Sequence, residues 1–207
     1  ANRPWTNQIL TSLRNGTPLY QFRLNQKFGH LRTGIREPEL DNFTHASLLY
    51  TLEKYRPDLT LVHFTDVDSQ KHDYGTESEE AWAAMERHSH RLMEIQDTLE
   101  RLEMSEDTIF VLLGDHSQKD VSRIICLNAL FLEKGWISIR RGKIANWRVY
   151  SKGCDGSAYI YIRDKELYRP VYELLKKLRD EKIWGIEAFY TGKNAARLGA
   201  DGACAFM

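Results

Sequence analysis

Leu59-Thr60-Leu61-Val62-His63-Phe64 is a short apolar run, rich in β-formers and bounded by Pro57-Asp58. Those properties predict a buried strand. It leads into Thr65-Asp66-Val67-Asp68-Ser69-Gln70-Lys71-His72-Asp73-Tyr74-Gly75, which is polar and acidic and reads as a loop at the strand's C-terminal end. The same arrangement returns further on. Thr108-Ile109-Phe110-Val111-Leu112-Leu113 reads as a second strand and ends in Gly114-Asp115-His116-Ser117-Gln118-Lys119-Asp120. Between the two lies one long predicted helix. Thr76 and Glu79 have the spacing of a capping box. Trp82, Met85, Leu92, Ile95, Leu99 and Leu102 recur mostly at three and four, which marks them as its apolar face. A strand-helix-strand unit favours parallel pairing in a doubly wound sheet. Ligands of such sheets sit off the carboxyl ends of the strands, and both acidic-histidine clusters fall at that edge.

On the N-terminal side the chain reads as helices with Gly and Pro punctuation: Asn7 to Arg14, Pro18 to Leu31, and Glu39 to Tyr55, which Pro57 stops. Beyond Val121 the texture changes. Ile124 to Lys134 and Glu166 to Asp180 read as helices. Trp136 to Ile139, Trp147 to Tyr150, Ser157 to Ile162, Ile186 to Tyr190 and Ala203 to Met207 read as strands. The expected architecture is α/β, with residues 1–120 forming part of a core and residues 121–207 an α+β cap or insertion.

Composition narrows the function. The chain has 207 residues, a formal net charge of zero, 42% hydrophobic and 28% charged residues. These values exclude intrinsic disorder, a collagen-like fibre and a strongly basic nucleic-acid binder. No apolar stretch reaches the roughly 18 residues of a membrane span, so neither a nucleic acid duplex nor a membrane is an expected partner. Cys126, Cys154 and Cys204 are odd in number and far apart, which favours a reducing cytoplasm over a disulfide framework. The chain opens on Ala1 without an initiator Met or a basic-then-apolar leader. It reads as a processed protein or a piece of a longer one.

Asp68 and His72 stand four apart after one predicted strand, and Asp115 and His116 are adjacent after the other. Carboxylate oxygen with imidazole nitrogen suits Zn²⁺, Mn²⁺ or Fe. Two half-sets at neighbouring strand ends point to a pair of metals, an arrangement used for phosphoryl transfer. Asp and His at strand ends also form turns and cap helices, and either cluster alone stays open between these readings. Asp66 and Asp73 read as supporting or loop residues, with Asp66 still eligible as a ligand because it ends the strand. His63 reads as a core or layer-facing histidine within its strand, His88 and His90 as structural or solvated, and His30 and His45 as ordinary helix residues.

In order and form these clusters resemble a known family. The segment from Leu61 to Gly75 is similar to the Asp-x-x-x-His-x-x-Gly segment of nucleotide pyrophosphatase/phosphodiesterases, a branch of the alkaline phosphatase superfamily. The segment from Val111 to Gln118 is similar to that branch's Ser-Asp-His-Gly segment, with Ser117 where the family usually has Gly. His72 and Asp115 stand 43 positions apart, with a helix of suitable length between. Pro38 to Phe43, Tyr55 to Leu59 and Asp155 to Tyr161 also resemble family segments.

The resemblance implies an alkaline-phosphatase-like three-layer sandwich with a mainly parallel sheet. It implies a two-zinc hydrolase acting on phosphodiester, nucleotide or phosphomonoester bonds of a small phosphorylated substrate. Asp68 and His72 would then hold one metal, and Asp115 and His116 the other. A Thr or Ser alkoxide attacks phosphorus in such enzymes, and water hydrolyses the phospho-enzyme. Three parts of that pattern are missing here: an early strand ending in an Asp ligand, the nucleophile that follows it, and a late His. No His occurs after His116. Thr6 and Thr17 precede helices but follow no acidic strand end, and read as N-caps. No catalytic residue is therefore assigned within the chain. It is expected to be an internal fragment of an enzyme about twice as long, inactive by itself. The alternatives are a metal-dependent mutase or sulfatase of the same superfamily, although no cysteine sits in a sulfatase motif, and a non-catalytic partner-binding domain. Trp136, Trp147, Tyr159, Tyr161, Trp184 and Tyr190 read as packing residues rather than base-stacking ones.

Overall fold

The computed structural model describes residues 7–207. The chain divides into two compact units, one ending at Asp120 and the other running from Val121 to Met207.

The first unit is helical: α1 (Gln8–Asn15), α2 (Pro18–Phe28), α3 (Glu39–Tyr55), α4 (Asp66–Tyr74) and α5 (Glu79–Arg101). Arg56, left-handed at φ 42°, ends α3 just before Pro57. The cap of α5 is Ser78, whose side chain accepts from the Ala81 amide. Thr76 does not cap the helix; its amide bonds instead to Asp120 Oδ1 at 2.9 Å. Glu79 and Glu80 in the first turn complement the helix dipole.

The buried face of α5 differs from the expected one. Ala81, Ala84, Arg91, Ile95, Thr98 and Leu99 are buried, whereas Trp82 and Met85 are 60% and 47% exposed. Alanines take the inward positions of the first turns and a charged residue fills another, so an apolar stripe alone misplaces the face by one residue in the first half. Leu48 and Leu52 of α3 pack on Ile95 and Leu99 of α5, with Phe64 inserted beside them.

The two runs predicted as parallel strands form no ladder. Among the described residues, the sheets are two antiparallel hairpins, both in the second unit. Residues 59–64 and 109–113 make no backbone hydrogen bonds to one another, and Leu61 and Ile109 are 87% and 91% exposed. Apolarity marks a segment as strand-like, but a strand exists only where a partner offers its amides and carbonyls.

The second unit contains α6 (Leu127–Glu133), β1 (Ile137–Arg140), β2 (Lys143–Trp147), β3 (Val149–Cys154), β4 (Ser157–Ile162), α7 (Tyr168–Asp180) and α8 (Gly192–Arg197). β1 pairs with β2 across Arg141-Gly142, and β3 pairs with β4. Phe131, Val149, Ile160, Val171, Leu175 and Phe206 form the core. The predicted strand at 203–207 reduces to single bridges from Phe206 to Thr191 and Ile160, and residues 186–190 form no strand. Phe206 is fully buried, its ring 4.7 Å from that of Tyr168. Close approach of the terminal segment requires glycine at 192, where a Cβ would lie 2.1 Å from the Cys204 carbonyl oxygen.

Candidate functional site

The segment expected as a loop after Phe64 is the helix α4, and its start is held from outside. Thr65 is the N-cap, but its hydroxyl does not cap α4; it donates to Glu37 Oε1 at 2.6 Å. The cap comes from α3. Asp41, buried, accepts the Thr65 amide at 3.0 and 3.1 Å and the Asp66 amide at 2.9 Å. Asp66, also buried, receives a fork from Arg87, Nε at 2.7 Å and Nη2 at 2.8 Å, and Nη1 of Arg91 at 3.1 Å. Arg91 continues to Asn42 Oδ1 at 2.9 Å and faces His88 Nδ1 at 3.0 Å.

These contacts set the protonation states. Burial pushes the Asp66 carboxyl up, but hydrogen bonds from Arg87 and then Arg91 outweigh it and hold the group below its ordinary value. Burial raises Glu37, with the Thr65 hydroxyl opposing. Burial, and then the neighbouring Arg91 charge, keeps the His88 imidazole below its ordinary value. The far end of α4 turns at Gly75, whose φ of 105° is open to glycine and costly for other residues.

One turn into α4, Asp68 and His72 face each other, with Oδ1 3.5 Å from Nε2. Asp68 Oδ1 is shielded from solvent and has no hydrogen-bond partner. The second pair lies in the loop after Leu113. Asp115 Oδ2 is 3.5 Å from His116 Nε2. The His116 amide bonds to Asp115 Oδ1 at 3.1 Å, and its Nδ1 lies 3.3 Å from the Ser117 carbonyl. A proton on Nδ1 directed at that carbonyl leaves the Nε2 lone pair turned to the carboxylate. His63 Nε2 lies 3.8 Å from the same Asp115 oxygen, which brings the C-terminal ends of the two apolar runs together. Gln118 reaches the Asp68 carbonyl at 3.5 Å, and Asp120 holds Thr76. The four expected residues thus stand as two Asp/His pairs on adjoining elements.

Among the described residues, Asp41, Asp66 and His88 offer three ligating atoms within 4.8 Å of one another. Arg87 and Arg91 already supply the positive charge there and bond the Asp66 oxygens. This trio therefore belongs to an ion-pair network, in which an added cation meets two guanidinium groups. The donor chemistry fits a metal better at Asp68 and His72, where a shielded carboxylate oxygen makes no hydrogen bond.

Sequence reasoning read His63 as a core residue and missed Asp41, Arg87 and Arg91. Arg91 left a signal: Ala84, Arg91, Ile95 and Thr98 share helical spacing, so a charge occupies an inward position of α5. Asp41 left none, because a cap supplied across 24 residues has no local pattern. Of the two threonines read as N-caps, Thr6 lies outside the described residues; Thr17 is the N-cap of α2 without a side-chain cap bond.

A model of the family described as type I phosphodiesterase / nucleotide pyrophosphatase matches residues 1–196. No curated protein and no solved structure matches the chain.

Proposed function

Because the chain belongs to the type I phosphodiesterase / nucleotide pyrophosphatase family, we propose that it is part of a two-metal phosphohydrolase. Its substrates are small molecules with phosphodiester, nucleotide or phosphomonoester bonds. Asp68 and His72 hold one divalent ion in this reading, and Asp115 and His116 the other, with zinc suited to the mixed oxygen and nitrogen donors. The observation that carries it is Asp68 Oδ1, shielded, unbonded and 3.5 Å from His72 Nε2. Two ligand atoms each about 2.0–2.2 Å from a tetrahedral zinc stand about 3.4 Å apart. The 3.5 Å separation therefore matches the spacing of two donors on one cation.

Such cations neutralise phosphoryl oxygens and lower the pKa of an attacking hydroxyl. The chain's own part is to hold donors in place. α4 presents Asp68 and His72 one turn apart, and the Ser117 carbonyl orients the His116 ring.

We assign the first unit to an alkaline-phosphatase-like core in which residues 59–64 and 108–113 pair as parallel strands within the whole enzyme, and the second unit to an α+β cap. Support comes from their apolar side chains, the unengaged amides of residues 59–64 and 109–113 and the meeting of their ends at His63 and Asp115. Cys126, Cys154 and Cys204 are all free thiols, which suits a reducing cytoplasm. Among the described residues no helix is long and apolar enough to cross a membrane.

By the family pattern, the nucleophile and a further His ligand come from outside this chain. The purified polypeptide is therefore expected to bind zinc weakly and to show no turnover of a nitrophenyl phosphodiester. Calorimetric zinc titration is repeated on Asp68→Ala and Asp115→Ala, and each substitution is expected to weaken binding. Unchanged binding in both removes the ligand assignment. Zinc-dependent turnover by the chain removes the assignment of the nucleophile to another segment.

A further inference from the structure

We propose that Asp41, together with Arg87, is a positioning residue for the Asp68/His72 pair: it fixes the first turn of α4 from α3 while Arg87 fixes it from α5. The inference rests on the reading of Asp68 and His72 as metal ligands.

Three observations support it. First, α4 lacks a cap of its own. Thr65 gives its hydroxyl to Glu37, and the amides of Thr65 and Asp66 end on the Asp41 carboxylate. Helix N-termini leave donors that something must satisfy, and here a buried side chain 24 and 25 positions earlier does so. Second, the first residue of α4 is gripped independently. The Arg87 fork sets both the direction and the rotation of the Asp66 carboxylate. Amides held from one side and a side chain held from the other leave the first turn little freedom to rotate. Third, Asp68 follows Asp66 by two residues and His72 by six, within the same nine-residue helix. A rotation of the first turn is carried directly to both donors. Asp68 Oδ1 has no hydrogen-bond partner, and its contact with His72 Nε2 is the long 3.5 Å one.

The network is built for geometry more than for net attraction. Two buried carboxylates meet two guanidinium groups, and the desolvation of buried charges offsets much of their attraction. Groups that orient ligands typically change metal affinity by about 10–100-fold when altered.

The test is zinc titration of the full chain followed through the imidazole nitrogen resonances of His72, with circular dichroism on each variant. Asp41→Asn and Arg87→Lys keep size or charge and lose the doubled acceptor or the fork. Leu99→Ala is the control, destabilising the same unit from its core without touching α4. Asp68→Ala reports on the ligand reading itself. The expected result is a zinc midpoint about tenfold higher for Asp41→Asn and Arg87→Lys, with native-like circular dichroism and an unchanged midpoint for Leu99→Ala. Arg87 is partly solvent-exposed, so its variant serves if Asp41→Asn does not fold. Wild-type midpoints in both variants, with the response lost in Asp68→Ala, overturn the proposal and leave the ligand reading standing. A Leu99→Ala shift as large as theirs also overturns it, because stability alone then accounts for the effect. An undisturbed His72 response in Asp68→Ala removes the ligand reading, and this proposal with it.

Discussion

Arg91 Nη1 lies 3.1 Å from Asp66 Oδ2, with both side chains at least 95% buried. The same nitrogen stands 3.6 Å from Asp41. One guanidinium thus bridges two carboxylates inside the first unit. Removing one partner of a buried pair leaves an uncompensated charge, at a cost of about 3–5 kcal/mol. Arg91→Met is expected to lower the unfolding free energy by about that amount in urea titrations. Arg101→Met breaks the solvent-exposed pair with Glu53, and its expected effect is below about 1 kcal/mol. Equal costs at the two sites would contradict the assignment of Arg91 to the polar core.

Acid is expected to weaken the first unit before its carboxylates titrate. Burial holds the imidazoles of His45 and His88 below their ordinary value of 6.5. His45 faces Glu94 and Arg91; His88 faces Arg91, Asp41, Asp66 and Arg87. Both rings bind a proton more readily in the unfolded chain. Their contribution to stability is therefore whole above 6.5 and is lost as pH falls through the lower folded values. Urea midpoints should drop as pH falls below about 6.5. The drop should be shallower in the doubly substituted chain carrying His45→Gln and His88→Gln. An identical slope in that chain would place the acid sensitivity elsewhere.

Hydrogen exchange separates the two apolar runs from the helices. Amides of residues 59–64 and 109–113 have no backbone acceptor and should exchange close to the unprotected rate. Amides around Ile95 and Leu99, inside α5 and the core, should be protected by several orders of magnitude. Strong protection across 59–64 and 109–113 would show that these runs are paired in the isolated chain.

In the second unit, Phe206→Ala removes a fully buried ring that packs on Tyr168, Tyr172 and Phe189. The expected cost is about 3–5 kcal/mol, read from urea unfolding followed by tryptophan fluorescence. Trp136, Trp147 and Trp184 pack against the same core. A loss below about 1 kcal/mol would mean that the terminal segment is not seated as described.

How much was legible depended on whether the signal was local. α3 runs over Glu39–Tyr55 as its punctuation predicts, and β4 over Ser157–Ile162, because proline stops and apolar β-formers act within a few residues. The spacing of Asp68 and His72 fits one turn of α4, although the local composition predicts a loop: Asp, Ser and Lys favour turns until a remote carboxylate accepts the first amides. The Trp82 and Met85 stripe misread α5 because periodicity ranks residues by hydrophobicity, whereas the inward face is chosen by alanines and by an arginine with buried partners. His63 was judged by its apolar neighbours, yet its side chain is 72% exposed beside Asp115. Only the assembled chain reveals that neighbour.

Gly192 and Phe206 tie the second unit to the order in which its chain is made. The residues that plug its core are the last of the segment to be synthesised, and they dock where only a hydrogen fits in place of a side chain. During translation, the hairpins and α7 must wait on the ribosome with an open cavity until residue 206 emerges.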